Sequence, residues 1–176
     1  MYRTSSATRQ ISTILRSSRS FSSTSAKPAK IPFNVSSTGS GVSQSIAVAG
    51  SPHTINVDAY PSFGGKDAAP SPLAYNLSSL SSCTQVTGSL VAKELGIKLG
   101  EWKVDVKGIL DTAVLVEGKE GNANWDSIDL KFRVQTDAKD DLFAKFGSET
   151  ERRCPITQLF KRSGAQVKSE WVNERA

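Results

Sequence analysis

Residues 71–92 contain no charged side chain, and Lys93 is the first to interrupt the run. This stretch constrains the fold more than any other. Ser71 is placed to cap a helix, Pro72 to occupy its first turn, and Gly96 to stop it after Leu95. Leu73, Leu77, Leu80, Thr84, Thr87, Leu90 and Val91 recur at helical spacing. A helix this long, uncharged and rich in small residues is usually central and covered on most sides. The rest of the chain must supply the cover.

Most of that cover reads as strands. Residues 32–60 form short ones, with Gln44 to Ala49 and Thr54 to Tyr60 divided by a turn at Gly50-Ser51-Pro52. Residues 61–70, with Gly64-Gly65 and Pro70, form a loop. Trp102, Val104 and Val106 alternate with Lys103, Asp105 and Lys107, a half-buried strand, and Val114 to Val116 returns as its hairpin partner. After a polar loop from Gly118 to Asn124, Ile128, Leu130, Phe132 and Val134 alternate with Asp129, Lys131, Arg133 and Gln135. Residues 138–153 predict a helix with Leu142, Phe143 and Phe146 as its apolar stripe. Pro155 opens a short helix to Phe160, and Val167 to Trp171 forms a last strand. Trp102 and Trp171 belong to the core. This order predicts an α+β fold, with helices against an antiparallel sheet.

Residues 1–30 read as an address. They hold Arg3, Arg9, Arg16, Arg19, Lys27 and Lys30, thirteen Ser or Thr, and no acid; the first acid in the chain is Asp58. Arg-rich, Ser-rich, acid-poor and amphipathic is the pattern of a mitochondrial transit peptide, with cleavage expected near Phe21. The domain expected to remain is residues 31–176, in the mitochondrial matrix. The net charge of +5 belongs to the address, because residues 31–176 carry 16 basic against 17 acidic side chains. A domain without a basic cluster is not expected to bind nucleic acid, and without a long apolar run it is not expected to span a membrane. Metal and cofactor are not expected either. The glycine pair lacks a phosphate-binding pattern, and His53, the sole histidine, stands without ligand partners.

Two cysteines remain, Cys83 in the long helix and Cys154 just before Pro155. They lie 71 residues apart, far outside the spacing of a redox CxxC or a zinc knuckle. In a reducing compartment a catalytic, redox-active or inert buried role fits better than a structural disulfide. Cys154 sits at an N-cap position, where free amides favour an anion, and Arg152 and Arg153 could add to that. Cys83, mid-helix, is expected to gain nothing from a helix end and to need a cation from elsewhere.

Gly64-Gly65, then Pro70-Ser71-Pro72, then Cys83 eleven residues after Pro72, and finally Cys154-Pro155-Ile156-Thr157 together resemble the OsmC/Ohr superfamily of osmotically inducible and organic hydroperoxide resistance proteins. The resemblance spans roughly residues 60–171. It implies antiparallel sheets around a long central helix, and an intertwined homodimer. It implies thiol-dependent reduction of organic hydroperoxides, with Cys83 as peroxidatic and Cys154 as resolving cysteine and a dithiol as reductant.

The resemblance also implies a Glu just after the helix-opening proline, paired with an Arg from an N-terminal strand. This chain has Leu73 and Ala74 there, offers Gln44 in the strand, and has no Lys or Arg from Ile31 to Tyr60. Arg133, Arg152 and Arg153 are the candidate substitutes. Two other readings stay open: a dimer that binds a small apolar or thiol ligand, and a thiol-redox sensor that uses the disulfide as a switch.

Overall fold

The computed structural model describes residues 30–175. The expected transit peptide and its cleavage near Phe21 lie outside them. Residues 34–176 group as one unit by their contacts.

Three strands come first: β1 (Val35–Ser40), β2 (Ser43–Val48) and β3 (Thr54–Val57). They form an antiparallel meander in the order β1-β2-β3. Gly41, with φ of +62°, makes the first turn, and a second at Gly50 follows β2. β1 is exposed along its whole length, and no residue of this sheet joins the main core cluster.

The loop after β3 is tied down by Asp58. Its carboxylate accepts from the Ser43 hydroxyl at 2.6 Å and from the backbone N–H groups of Lys66 and Ala68, both at 3.0 Å. Gly65 is required because a Cβ there would lie 1.9 Å from the Ala59 carbonyl oxygen. Thus the Gly64-Gly65 pair folds the loop back on β3. From this anchored loop the chain enters α1 (Pro72–Leu95).

The ends of α1 fall where the capping residues place them. The Ser71 hydroxyl accepts from the Ala74 N–H at 3.2 Å, and Gly96 adopts the left-handed conformation at the other end. Leu80, Thr84, Thr87, Gly88, Val91 and Ala92 are buried. Val86 and Leu90 are not: they are 63% and 55% exposed. Leu90, expected on the packed stripe, lies instead on an open face.

The second sheet joins β4 (Leu99–Leu110), β5 (Trp125–Thr136) and β6 (Gln166–Arg175) in that order. β4 and β5 are antiparallel, but β5 and β6 are parallel, so this sheet is mixed rather than antiparallel as expected. The cause is the connection: α3 (Asp140–Arg153) and α4 (Pro155–Arg162) form a crossover between β5 and β6. The segment Val114 to Val116 is also corrected. It is no hairpin strand but part of a short helix, α2 (Ala113–Glu117), stopped by Gly118 in the left-handed conformation. The Asp111 carboxylate accepts from the Ala113 N–H at 2.8 Å and starts the turn.

Helices α1 and α3 pack over the sheet around Phe132, Phe146, Ile128 and Val134, all fully buried. Trp171 stacks on Phe132 at 4.1 Å and meets Phe146 and Trp102 edge-on, so both tryptophans pack against the core. Gly88 lets α1 approach Trp102, since a Cβ would lie 2.5 Å from the indole. Gly147 similarly seats α3 on Trp171. This close packing fixes the height at which α1 meets the α3–α4 junction.

Candidate active site: two thiols at one helix entrance

The α3–α4 junction is a single residue, Cys154. It has extended backbone, φ −72° and ψ 115°, as a residue before proline must. Its N–H closes α3 on the Thr150 carbonyl at 3.0 Å, and its carbonyl accepts from the Gln158 N–H at 3.0 Å. Its sulfur is the N-cap of α4 and accepts from the Thr157 N–H at 3.5 Å. The sequence placed Cys154 at an N-cap, and that is its position. The side chain is fully buried.

Across from it stands Thr84 of α1, also fully buried. Its hydroxyl lies 3.7 Å from the Cys154 sulfur and 3.2 Å from the Thr157 hydroxyl, and it donates to the Leu80 carbonyl at 2.7 Å. A polar triad of this kind inside an apolar core has to be mutually satisfied. Burial pushes the Cys154 thiol up, but bonds from the Thr157 hydroxyl and N–H, from Thr84 and from Cys83 outweigh it and hold the thiol below its ordinary value.

Cys83 is the neighbour that completes the group. Its thiol is near enough to that of Cys154 for each to shift the other's ionisation, and both are free. Burial pushes Cys83 up, and the bond and charge of Cys154 push it further. The Ile156 N–H and the Thr87 hydroxyl act in the opposite direction without reversing the outcome. The first turn of α4 thus acts on both sulfurs, but the net effect on Cys83 is upward, in keeping with a thiol that lacks a cation beside it. Ile156 serves Cys83 and Thr157 serves Cys154. Cys83 is partly exposed, so of the two it is the one that solvent can reach.

The three arginines considered as substitutes are engaged elsewhere. Arg133 pairs with Asp105 at 2.7 Å, and Arg152 with Glu149 at 2.7 Å. Arg153 makes a two-pronged bond to Glu94, at 2.5 and 2.9 Å. That pair ties the end of α3 to the end of α1 and so braces the junction. His53 is exposed, and its backbone N–H bonds to Ser51.

Thr84 and Thr87 are the site residues that sequence reasoning missed as chemistry. A signal was present: two threonines on the buried face of an apolar helix need partners. The partners of Thr84 lie on α4 and its N-cap, that of Thr87 is Cys83 on the same helix, and only the packing names them. Chemically, the group can hold one sulfur as a stabilised anion beside a second, reachable thiol, and can join the two as a disulfide.

The same fold recurs in solved structures. The OsmC-like protein from Mycoplasma pneumoniae is 20% identical, with the alignment covering 82% of this chain and all of that one at a TM-score of 0.67. An organic hydroperoxide resistance protein from Elizabethkingia anophelis is 17% identical over 84% of this chain and all of that one, TM-score 0.63. The organic hydroperoxide resistance protein OhrB of Bacillus subtilis is 18% identical over 80% of this chain and 98% of that one, TM-score 0.54. These likenesses are of fold. A comparison with curated proteins gave no match. The family model for OsmC-like protein matches residues 64–170, which run from the glycine pair through both cysteines into β6, and the chain belongs to the OsmC-like family.

Proposed function

We propose that the protein is a thiol-dependent peroxidase that reduces organic hydroperoxides, with Cys83 as peroxidatic and Cys154 as resolving cysteine. One observation carries this reading: residues 71 positions apart in sequence come together as free thiols that shift one another's ionisation at the entrance of α4. The family's kinship to organic hydroperoxide resistance proteins supports the substrate class.

The Cys83 sulfur attacks the outer oxygen of ROOH as its proton passes to the Cys154 thiolate, the one of the pair held below its ordinary value, and from there to the departing alkoxide. The O–O bond breaks, Cys83 becomes a sulfenic acid, and the alkoxide takes a proton to leave as ROH. The Cys154 thiolate then attacks the Cys83 sulfur, the S–O bond breaks, and the hydroxyl leaves as water with a proton from solvent. A dithiol reduces the resulting disulfide. In place of the family's Arg and Glu, this chain offers the Ile156 N–H and the Thr87 hydroxyl to the Cys83 anion.

The protein acts in this reading as a homodimer of the mitochondrial matrix. The open α1 face with Val86 and Leu90, and the sheet β1–β3 that stands outside the core, are the surfaces a second copy covers. The basic, acid-free residues 1–30 are the basis of the location; N-terminal sequencing of the protein from isolated mitochondria checks it, with a start near Ser22 expected and an intact Met1 against it.

A second reading, a ligand-binding dimer without efficient turnover, draws on a groove of about 560 Å³ between the first sheet and α1. Ile46, Ile55, Val57 and Tyr75 line it, with Gln44 at the strand position noted above.

Mass mapping after one equivalent of cumene hydroperoxide separates the readings. The peroxidase forms a Cys83–Cys154 bridge with consumption of the peroxide, and Cys83→Ser abolishes turnover. Full activity in Cys83→Ser, or two free thiols after exposure, rejects it.

A further inference from the structure

The two sulfurs of the pair are built differently, and the difference matters when the disulfide is opened. We infer that an external thiol opens the Cys83–Cys154 disulfide by attack on Cys83, and that Thr84 and Thr157 are catalytic residues of this half-reaction, receiving Cys154 as the leaving thiolate. The inference rests on the peroxidase reading only for the origin of the disulfide.

Access decides which sulfur is attacked. Cys154 is wholly buried between α1, α3 and α4, whereas Cys83 is partly exposed. A thiolate must approach the sulfur it attacks along the S–S axis, and in the single chain Cys83 presents that side; the second copy that covers Val86 and Leu90 has to leave it open. The step balances simply: RS⁻ bonds to the Cys83 sulfur, the S–S bond breaks, and its electron pair goes to Cys154. A second thiol then attacks the mixed disulfide and frees Cys83. No other oxidant or reductant enters.

The leaving group decides how fast that bond breaks, because a better-stabilised thiolate leaves faster. Cys154 departs into a prepared place, with the Thr157 N–H at 3.5 Å and the Thr84 hydroxyl at 3.7 Å. The proton count around Thr84 shows how this works. Its hydroxyl has one hydrogen and three neighbours: the Leu80 carbonyl at 2.7 Å, the Thr157 hydroxyl at 3.2 Å and the Cys154 sulfur at 3.7 Å. When Cys154 is a thiol, its S–H can donate to Thr84, whose own proton rests on Leu80. When Cys154 is an anion, a threonine proton must turn toward sulfur. The Thr84–Thr157 contact lets this happen without leaving a buried oxygen unpaired. Cys83 lacks such a pair of hydroxyls and, when Cys154 is charged, carries the opposing effect of that charge.

The experiment starts from disulfide made with diamide, so that peroxidase activity is not needed. The oxidised protein is treated with 2-mercaptoethanol, quenched with acidic N-ethylmaleimide during the first turnover, and mapped by mass. The expected product carries 2-mercaptoethanol on Cys83 and maleimide on Cys154. The adduct on Cys154, or failure of diamide to form the bridge, overturns the inference. Thr84→Val, which keeps volume and removes the hydroxyl, should slow opening by roughly three- to tenfold, and Thr84→Ser should restore it. An unchanged rate in Thr84→Val rejects the role given to Thr84. Correct opening chemistry in a protein that does not consume hydroperoxide would reject the peroxidase reading and leave this one standing.

Discussion

Thr84 and Thr157 share a buried contact, Oγ1 to Oγ1 at 3.2 Å, that joins the middle of α1 to the first turn of α4 beside the Cys154 sulfur. Most of what distinguishes the two thiols follows from it. The contact places two hydroxyls and one amide around Cys154, and leaves Cys83 with one amide and one hydroxyl against burial and the neighbouring Cys154.

Single-cysteine variants should therefore titrate in opposite directions. With Cys83→Ser, the remaining Cys154 should ionise below the ordinary cysteine value of about 8.5. With Cys154→Ser, Cys83 should ionise above it, because burial remains after the neighbouring charge is gone. Thiolate absorbance in the ultraviolet, followed against pH, reads both. The linkage has a sign as well. A depressed value in the folded state means that Cys154 adds stability above its unfolded value and loses it as pH falls through the folded one. The reverse order of titration would contradict the arrangement described for α4.

Gly88→Ala tests the packing that sets the height of α1. The added Cβ would sit 2.5 Å from the Trp102 ring. That ring cannot swing away freely, because Phe146 and Trp171 hold it edge-on at 5.9 and 6.1 Å. Alanine is the better helix former, so propensity alone would stabilise by at most about 1 kcal/mol. Overpacking costs about 1–3 kcal/mol, and the net effect should be destabilising. Urea unfolding should show a lower midpoint with an unchanged slope. A midpoint at or above that of the parent would mean that α1 can shift away from β4 without loss.

Both the fold and the site were partly legible in the sequence, and the boundary between what was and was not is physical. The ends of α1 were legible because Ser71, Pro72 and Gly96 act on their own few residues. So were β4 and β5, whose alternation is local. Val114 to Val116 misled because its β-branched residues favour a strand, while Asp111 and Gly118, lying just outside, impose a helical turn. The parallel β6 is a property of the crossover through α3 and α4, which no strand pattern contains. At the site, both cysteines and the N-cap role of Cys154 could be read. The Ile156 amide on Cys83 could not, since it exists only once α4 is docked against α1.

Asp58 should control how the protein meets acid. Its carboxylate is held well below the usual carboxylate range, first by the Ser43 hydroxyl and then by the backbone N–H groups of Ala68, Ala59 and Lys66. A depressed folded value stabilises above the unfolded value near 4 and is lost as pH falls toward the folded one. Asp58→Asn removes this contribution and leaves an amide donor among N–H groups. Its melting temperature should fall by several degrees at neutral pH, and the gap to the parent should narrow below pH of about 4. Thermal unfolding of both proteins across pH measures this. A constant gap at every pH would show that the loop is held by its backbone bonds and the glycine pair alone.

The open face of α1 provides the test of assembly. Val86 and Leu90 are one helical turn apart and 63% and 55% exposed, in a helix whose other leucines and valine are buried or half-buried. Ser78, Ser82 and Ser89 continue the same exposed face, and their small size lets another helix approach closely. A second copy meeting this face through its own α1 would cover both apolar side chains symmetrically. Charge on both partners at once would then be brought together, so Leu90→Glu should disfavour association far more than its effect on the fold. Sedimentation should find the parent as a dimer and Leu90→Glu as a monomer of half the mass. Circular dichroism should retain the helical signal, because Leu90 contributes little to the core of one chain. A parent that sediments as a monomer, or a Leu90→Glu variant that remains dimeric, would remove α1 from the interface.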